Sequence, residues 1–162
     1  MAKILPILNH PNPILRKMSR PLHPDEIESP EIQRLISDME KTMLAKDGAG
    51  LAAPQIGQNL RLVVLRDQDL EKTFIMINPQ ITKKSWAKAV DEEGCLSVLD
   101  KNGHIIFGNV ERHKNIQCVY LDTKGKKQKV AAKEILARII QHETDHLDGV
   151  LFIDKLYGSK KN

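Results

Sequence analysis

The residues best suited to chemistry in this sequence form the run Gln141-His142-Glu143-Thr144-Asp145-His146 near the C-terminal end. Residues four apart on a helix share a face, so His142 and His146 can bind one metal ion together. Glu143 stands beside the first histidine, where a carboxylate can accept a proton from water on that metal. The run therefore predicts a reactive metal site on a helix, and two histidines leave a third ligand to be supplied from elsewhere.

A second segment, from Gly48 to Gly57, combines glycines and alanines with one amide side chain, Gln55. Small residues let another chain approach the backbone closely, and the Gln55 amide offers a donor without adding charge. The segment does not end in the Gly-Lys-Ser/Thr of a phosphate-binding loop, and its glycines do not fit a dinucleotide-binding motif. A helix end followed by a flexible turn is the simpler explanation of the glycines alone.

A third segment, Glu93-Gly94-Cys95-Leu96-Ser97, places a thiol directly after a glycine that permits a sharp turn. A buried structural cysteine is an equally good interpretation of these residues taken by themselves. A nucleophilic Cys–His pair is a further alternative, but it needs only one histidine and leaves Glu143 without a task.

The elements that must position these segments are predicted from the apolar pattern. One helix is predicted from Glu31 to Ala45, with Pro30 at its start, and a second from Lys133 to Asp148, ended by Gly149. Between them the sequence predicts short strands at 61–65, 74–77, 80–90, 104–107, 116–121 and 128–130, with turns at 91–94 and 122–125. The order predicts an α+β fold, one domain over residues 1–162, with short mixed or antiparallel sheets packed around the central metal-binding helix.

The second helix predicts where its histidines face. Ile135, Ile139, His142 and His146 share one stripe roughly 60° wide, because successive helical residues turn by about 100°. The histidines are therefore predicted to continue the buried face, with Glu143 on its flank.

Composition narrows the classes of protein that remain. Aromatic residues make up 4% of the chain, so the core must rest on Ile, Leu and Val. The net charge of +4 comes from lysines spread along the chain, which predicts solvated surface and neither DNA recognition nor membrane binding. Nothing is typical of a signal peptide or a membrane span, and two cysteines favour a reducing cytoplasm over a disulfide scaffold.

Taken together, the three segments resemble the peptide deformylase family. That family carries a GxGxAAxQ motif, an EGCLS motif and a HExxH motif in this order, matched here by Gly48–Gln55, Glu93–Ser97 and His142–His146. The spacing between the motifs fits as well, and the resemblance extends over essentially the whole chain. It includes Arg16, the Ile-Asn-Pro ending at Pro79 and the Leu-Phe-Ile-Asp segment at 151–154.

The resemblance implies a single divalent metal bound by Cys95, His142 and His146, with an open fourth position. Iron(II) is the implied physiological metal, with nickel(II), cobalt(II) or zinc(II) as alternatives. The implied reaction removes the N-terminal formyl group from formyl-methionyl peptides and nascent chains. The implied protein is a cytoplasmic monomer, and its tail at 158–162 offers a transient ribosome contact or simple solvation.

The resemblance also implies roles for residues around the metal. Glu143 is the implied base, and Gln55 with the backbone N–H of Leu96 are the implied oxyanion donors. Gly50 and Gly94 lie where the family hydrogen-bonds a substrate backbone as an added strand, with Ala49 beside them. Ile139 is one expected wall of a pocket for the methionine side chain.

The match departs from the family pattern after Ser97, where an Ile/Val-Pro pair is replaced by Val98-Leu99. If Arg112 is the arginine that usually follows, the segment 98–111 is a longer loop at the substrate cleft. Ala49 stands where many members have a larger aliphatic residue, which widens one wall.

Three alternatives remain open on the sequence. HExxH also serves zinc endopeptidases, although their third ligand usually lies downstream of the helix. Cys95, Cys118, His142 and His146 can be drawn as a closed Cys2His2 structural site, which leaves Glu143 and Gln55 idle. An inactive relative that only binds formylated peptides is the third, and no missing residue favours it.

Overall fold

Two antiparallel sheets and one long helix that contacts both of them organise the fold. The structure is a computed structural model that describes residues 1–67 and 71–158. The larger sheet has the strand order β1-β2-β3-β6-β7, and β4 and β5 form the second sheet. The strands are β1 (Gly50–Ala52), β2 (Leu62–Asp67), β3 (Lys72–Lys84), β4 (Lys88–Leu99), β5 (Ile105–His113), β6 (Asn115–Leu121) and β7 (Lys127–Lys133). The helices are α1 (Pro24–Ile27), α2 (Pro30–Ala45) and α3 (Glu134–Leu147), with 3-10 turns at Pro13–Arg16, Ala53–Ile56 and Phe152–Lys155.

Both predicted helices are present. The helix α2 begins at Pro30, one residue before the predicted start, because the Ser29 hydroxyl accepts a hydrogen bond from the N–H of Ile32 at 3.3 Å and caps it. The helix α3 lies within the predicted bounds, with Lys133 and Asp148 as its capping residues. The turn predicted at 122–125 is also confirmed, by a hydrogen bond from Gly125 N–H to the Asp122 carbonyl.

Two strand boundaries were predicted wrongly. The strand predicted to end at Asn78-Pro79 continues to Lys84, because a shift of register absorbs this pair while the Asn78 side chain hydrogen-bonds both backbone groups of Leu22. Residues 91–94, predicted as a turn, lie in the middle of β4. The turn occurs earlier, at 85–87, and divides the strand predicted at 80–90 between β3 and β4. The acidic residues favoured a turn at 91–94, but the Glu93 carboxylate is buried and held by Arg112 and Arg138.

The segment 98–111, expected to form a longer loop apart from the short strand predicted at 104–107, is mostly strand. Its first residues end β4, its last residues belong to β5, and the hairpin turn occupies only 100–104. The cleft is therefore bordered by a paired hairpin with a defined register, in which Gly94 lies opposite Phe107.

The core lies on both faces of the larger sheet. Alternate residues of a strand point to opposite faces, and β2 follows this rule: Leu62 and Val64 pack with α2, whereas Val63 and Leu65 pack with α3. A third cluster, which includes Leu15, Cys95, Val110 and Phe152, supports the β4–β5 hairpin. The helix α3 is thus fixed between the larger sheet and the hairpin, and it carries the histidines to the junction.

No helix within residues 1–67 and 71–158 is long and apolar enough to cross a membrane.

Candidate metal centre and active site

The structure brings Cys95, His142 and His146 together. Their ligand atoms all lie within 4.8 Å of one another, and the Cys95 Sγ is 3.3 Å from the His146 Nε2. The two histidines lie one turn apart on α3, and Cys95 approaches from β4. Cys95 and His146 are buried, and 11% of the His142 side chain is exposed.

This set of donors fits a divalent transition metal. One thiolate and two imidazoles suit a borderline-soft ion, and three protein ligands leave a position open. The Nδ1 of His142 is 2.9 Å from the Glu93 Oε2, so its Nε2 is the nitrogen left for a metal. A carboxylate behind a ligating histidine fixes the tautomer and the ring orientation, and it is a frequent companion of such sites.

Glu93 is a member of the site that sequence reasoning did not assign. Its carboxylate accepts two hydrogen bonds from Arg112, at 2.9 and 3.0 Å, and one from Arg138 at 2.7 Å, besides its contact with His142. Burial raises the pKa of Glu93, but the hydrogen bonds from His142 and Arg112 outweigh it and hold that pKa well below its ordinary value. Arg112 also pairs with Asp145. The signal in the sequence was the position of Glu93 at the start of the EGCLS motif, of which only Gly94, Cys95 and Leu96 were predicted to belong to the site.

Gln55 is held in one orientation. Its Oε1 accepts a hydrogen bond from Ala52 N–H at 2.8 Å, so the amide nitrogen is the group that points toward the centre. That Nε2 donates to the Ser97 Oγ at 3.1 Å and lies 3.5 Å from the Cys95 Sγ. A neutral donor is therefore placed beside the thiol.

Glu143 is buried against the Gly-Ala segment. Its Oε2 is buried and has no hydrogen-bond partner among the described residues, and burial raises its pKa to about 7. A Cβ added at Gly50 would lie 2.7 Å from the Glu143 Cδ, so only glycine leaves room for this carboxylate. At Gly94 an added Cβ would meet the Phe107 ring at 2.6 Å. Part of the space that the small residues were expected to leave for a peptide is thus filled by the protein's own side chains.

A cleft of about 280 Å³ opens onto these groups. Eight of the nine predicted site residues line it, namely Ala49, Gly50, Gln55, Gly94, Cys95, Leu96, His142 and Glu143. The ninth, His146, lies behind them with 1% of its surface exposed. The expected wall residue Ile139 also lines the cleft, together with Ile105, Phe107 and Ile135.

The predicted direction of the helix stripe needs a correction. Ile135, at its start, is 53% exposed and faces the cleft and solvent, so the stripe does not simply continue a buried face. The larger sheet instead takes the neighbouring residues Ala137 and Ile140.

Comparison with known proteins agrees with the geometry. The polypeptide deformylase family matches residues 4–162 of this chain. The chain belongs to the peptide deformylase family. The peptide deformylase of Pelagibacter ubique is 45% identical over 159 residues, which cover 96% of this chain and 88% of the relative.

Solved deformylase structures share the fold. The Acinetobacter baumannii class I type b enzyme with bound Met-Ala-Ser is 32% identical, with a TM-score of 0.88, over 96% of this chain and all of that chain. The Thermotoga maritima peptide deformylase is 35% identical, with a TM-score of 0.86, over 94% of this chain and 97% of that chain. The predicted deformylase function is confirmed, in preference to a zinc endopeptidase or a closed structural metal site.

Cys118, the residue on which the closed Cys2His2 alternative depended, lies elsewhere. It is buried in β6 within the core cluster that includes Ile116 and Ala132. Among the described residues, the metal-compatible group at the cleft contains Cys95 and the two histidines without it.

Proposed function

We propose that this chain is one catalytic domain that uses Cys95, His142 and His146 as metal ligands and Glu143 as its base to remove the formyl group from formyl-methionyl chains, releasing formate. The observation that carries the assignment is that these three ligand atoms meet beside a cleft lined by Glu143, whose Oε2 makes no hydrogen bond among the described residues. The protein works, on this proposal, as a cytoplasmic monomer on nascent chains, with iron(II) as its metal and nickel(II), cobalt(II) or zinc(II) as substitutes.

When bound, a divalent cation supplies Lewis acidity, which makes water a nucleophile near neutral pH and polarises the formyl oxygen. The fit of the site supports this role, since Glu93 holds the His142 ring from behind and Gln55 lies beside the thiol.

Glu143 moves the protons. Its Oε2 makes no hydrogen bond among the described residues, so it is available to accept the proton of the attacking water. Burial that raises the pKa of this carboxyl to about 7 suits a group that must both take up a proton and give it to the departing amine.

The Gln55 Nε2 and the N–H of Leu96 stabilise the charge that develops on the formyl oxygen. Gln55 is fixed by its bond from Ala52, and Leu96 lies in the part of β4 where the register with β5 shifts between Gly94 and Leu99. We infer that this irregularity leaves the Leu96 N–H free for the substrate. Removing one such donor typically costs about 2.7–4 kcal/mol of transition-state stabilisation.

The peptide binds as an added strand between two sheet edges. The strand β1 lies at the edge of the larger sheet, and β4 has a paired neighbour only in β5 within the described sheets. Backbone groups at such edges can pair with an extended peptide, and Ala49, Gly50 and Gly94 line the cleft between them. Ile139 and Ile135 offer apolar surface for the methionine side chain.

The direct test measures formate released from formyl-Met-Ala-Ser under anaerobic conditions, with each candidate metal restored in turn. We expect turnover with this peptide, iron(II) as the most active metal, and no cleavage of unformylated Met-Ala-Ser. Cleavage at internal peptide bonds with the formyl group retained would contradict the proposal.

A Glu143→Ala variant separates the base from the metal site. It is expected to retain one bound metal per chain, because the ligand atoms are untouched. It should lose nearly all formate release, because the proposed base is gone. Cys95→Ser is its counterpart and should lose both metal and activity. Full activity of Glu143→Ala would refute the assigned base.

A further inference from the structure

Trp86, the single tryptophan of the chain, projects fully into solvent from the turn between β3 and β4. The turn is held by several hydrogen bonds: Ser85 Oγ donates to the Ala87 carbonyl at 2.8 Å, and Ser85 N–H donates to the Asn115 carbonyl at 2.9 Å. Lys114 N–H donates to the Ala87 carbonyl at 2.9 Å. A large aromatic ring presented to water on a fixed backbone is suited to contact with a partner.

The fold gathers around Trp86 several lysines that are separated in the sequence. Lys83 and Lys84 end β3, and Lys88 begins β4. Lys114 lies in the β5–β6 junction, where its N–H bonds to the Ala87 carbonyl, and Lys133 pairs with Asn115 across β6 and β7. We call this surface the Trp86 patch. It comprises Trp86, Lys83, Lys84, Lys88, Lys114 and Lys133.

The charges of the patch are largely free. Lys88 pairs with Glu111 at 2.8 Å, whereas within residues 1–67 and 71–158 the other four lysines make no ion pair. The exposed acids of β4, β5 and the start of α3, namely Asp91, Glu92, Glu111 and Glu134, number four against the five lysines. Lysines that are separated in the sequence therefore lie close together in the folded chain, where they give the patch a small excess of positive charge.

We propose that the Trp86 patch binds single-stranded RNA, with the indole stacked on a base and the lysines in contact with phosphates. Stacking on an aromatic platform beside a positive surface is how proteins hold single strands without reading their sequence. A membrane surface is a poorer fit, because the turn carries Ser85 and Ala87 beside the indole and has no second large apolar side chain to insert. The proposal goes beyond deformylation and does not depend on it.

Because Trp86 is the only tryptophan, its fluorescence reports directly on the patch. Titration with a uridine oligonucleotide at low salt should quench the emission in a saturable way. The logarithm of the association constant should fall with the logarithm of the salt concentration, with a slope of about −0.7 for each phosphate contacted. An unchanged emission through the titration would overturn the proposal.

Variants are compared by the fluorescence anisotropy of a labelled oligonucleotide. Trp86→Ala should weaken binding roughly 5- to 100-fold, the range for loss of one stacked base. Lys84→Glu should weaken it and lower the salt slope, whereas Lys124→Glu should have little effect. The Lys124→Glu control makes the same change of charge in the turn of the β6–β7 hairpin, which lies about 20 Å from the patch along the strands.

Each contrary outcome has a distinct meaning. Equal effects of Lys84→Glu and Lys124→Glu would show a response to net charge alone, and unchanged binding by Trp86→Ala would exclude stacking; either overturns the proposal. A blue-shifted emission with phosphatidylserine vesicles, without a response to RNA, would assign the patch to membranes instead. Formate release from formyl-Met-Ala-Ser should stay at the wild-type rate in both patch variants, so loss of RNA binding is separable from failure of the proposed catalysis.

Discussion

At the scale of single residues, the two cysteines of this chain have opposite surroundings. Cys95 lies at the cleft, where its Sγ has the Gln55 amide and the His146 ring within 3.5 Å. Cys118 lies in the core of the larger sheet, and burial raises the pKa of its thiol to about 11. One thiol is placed to become a ligand, and the other is kept protonated.

The protonated state of Cys118 predicts a dependence of stability on pH. Its pKa is about 11 when folded and 9.0 ordinarily, so between these values the native state binds more protons than the unfolded state. The free energy of unfolding must therefore fall as pH rises from 9 to 11, and this contribution is fully present only below pH 9. We expect the wild type to lose more stability over this window than Cys118→Ala, as measured by urea denaturation. Parallel pH profiles for the two proteins would rule out the assignment.

The spacing of residue types predicted two metal ligands, His142 and His146, because they lie one helical turn apart. Cys95 was predicted as the third ligand only through the resemblance to the deformylase family, since its own segment fitted a buried structural cysteine equally well. Neither argument predicted the residues that support these side chains. The contact between Glu93 and Arg138 joins residues 45 positions apart and depends on the strand register. No local pattern predicts such a pairing, because it arises only when β4 and α3 pack together.

At the scale of elements, the β4–β5 hairpin is fixed to α3 by the arginine at position 138. Besides its bond to Glu93, Arg138 donates to the Val110 carbonyl at 3.0 Å and to the Ala89 carbonyl at 2.8 Å. These carbonyls belong to both strands of the hairpin. One buried guanidinium therefore satisfies three acceptors and ties the strand that carries Cys95 to the helix that carries the histidines.

Replacing this arginine should loosen the hairpin. Arg138→Leu removes the donors of two backbone carbonyls and one of the arginines on Glu93, and a buried acceptor left unsatisfied costs about 1–3 kcal/mol. We expect a drop of that order in the free energy of unfolding, measured by chemical denaturation. Arg20→Leu, which breaks the exposed pair with Glu26, is the matched control and should change stability little. Wild-type stability of Arg138→Leu would show that the hairpin is held by its apolar cluster alone.

The elements themselves were predictable to different degrees. The helices followed from apolar stripes and caps, which are local. The acidic run at 91–93 resembled a turn because its charges looked solvent-exposed, yet Glu93 is buried among cations supplied by β5 and α3. Sequence patterns predict burial poorly when the compensating charge comes from a distant element.

At the scale of the whole molecule, the site joins two layers that are otherwise separate sheets. Cys95 comes from the hairpin sheet, and the histidines come from the helix packed on the larger sheet. A metal bound to all three ligands therefore links the layers, and its binding free energy adds to the stability of the native fold.

Removing the metal should accordingly lower the melting temperature. A ligand present at about 100 times its dissociation constant stabilises the native state by about 2.7 kcal/mol, which corresponds to roughly 5–10 °C for a chain of this size. Calorimetry before and after chelation should show a fall of this order in the wild type and in Cys118→Ser. Cys95→Ser should not respond to the chelator. A wild-type protein indifferent to chelation would mean that the layers are held without the metal.

The approach of Glu143 to Gly50 also bears on how this sequence can change over generations. The φ angle of Gly50 lies outside the left-handed region, so its backbone conformation would accept other residues, and only the carboxylate against it forbids them. Drift at position 50 is thus governed by the residue at position 143. A larger side chain can therefore enter at position 50 only if the residue at position 143 is replaced or moved first.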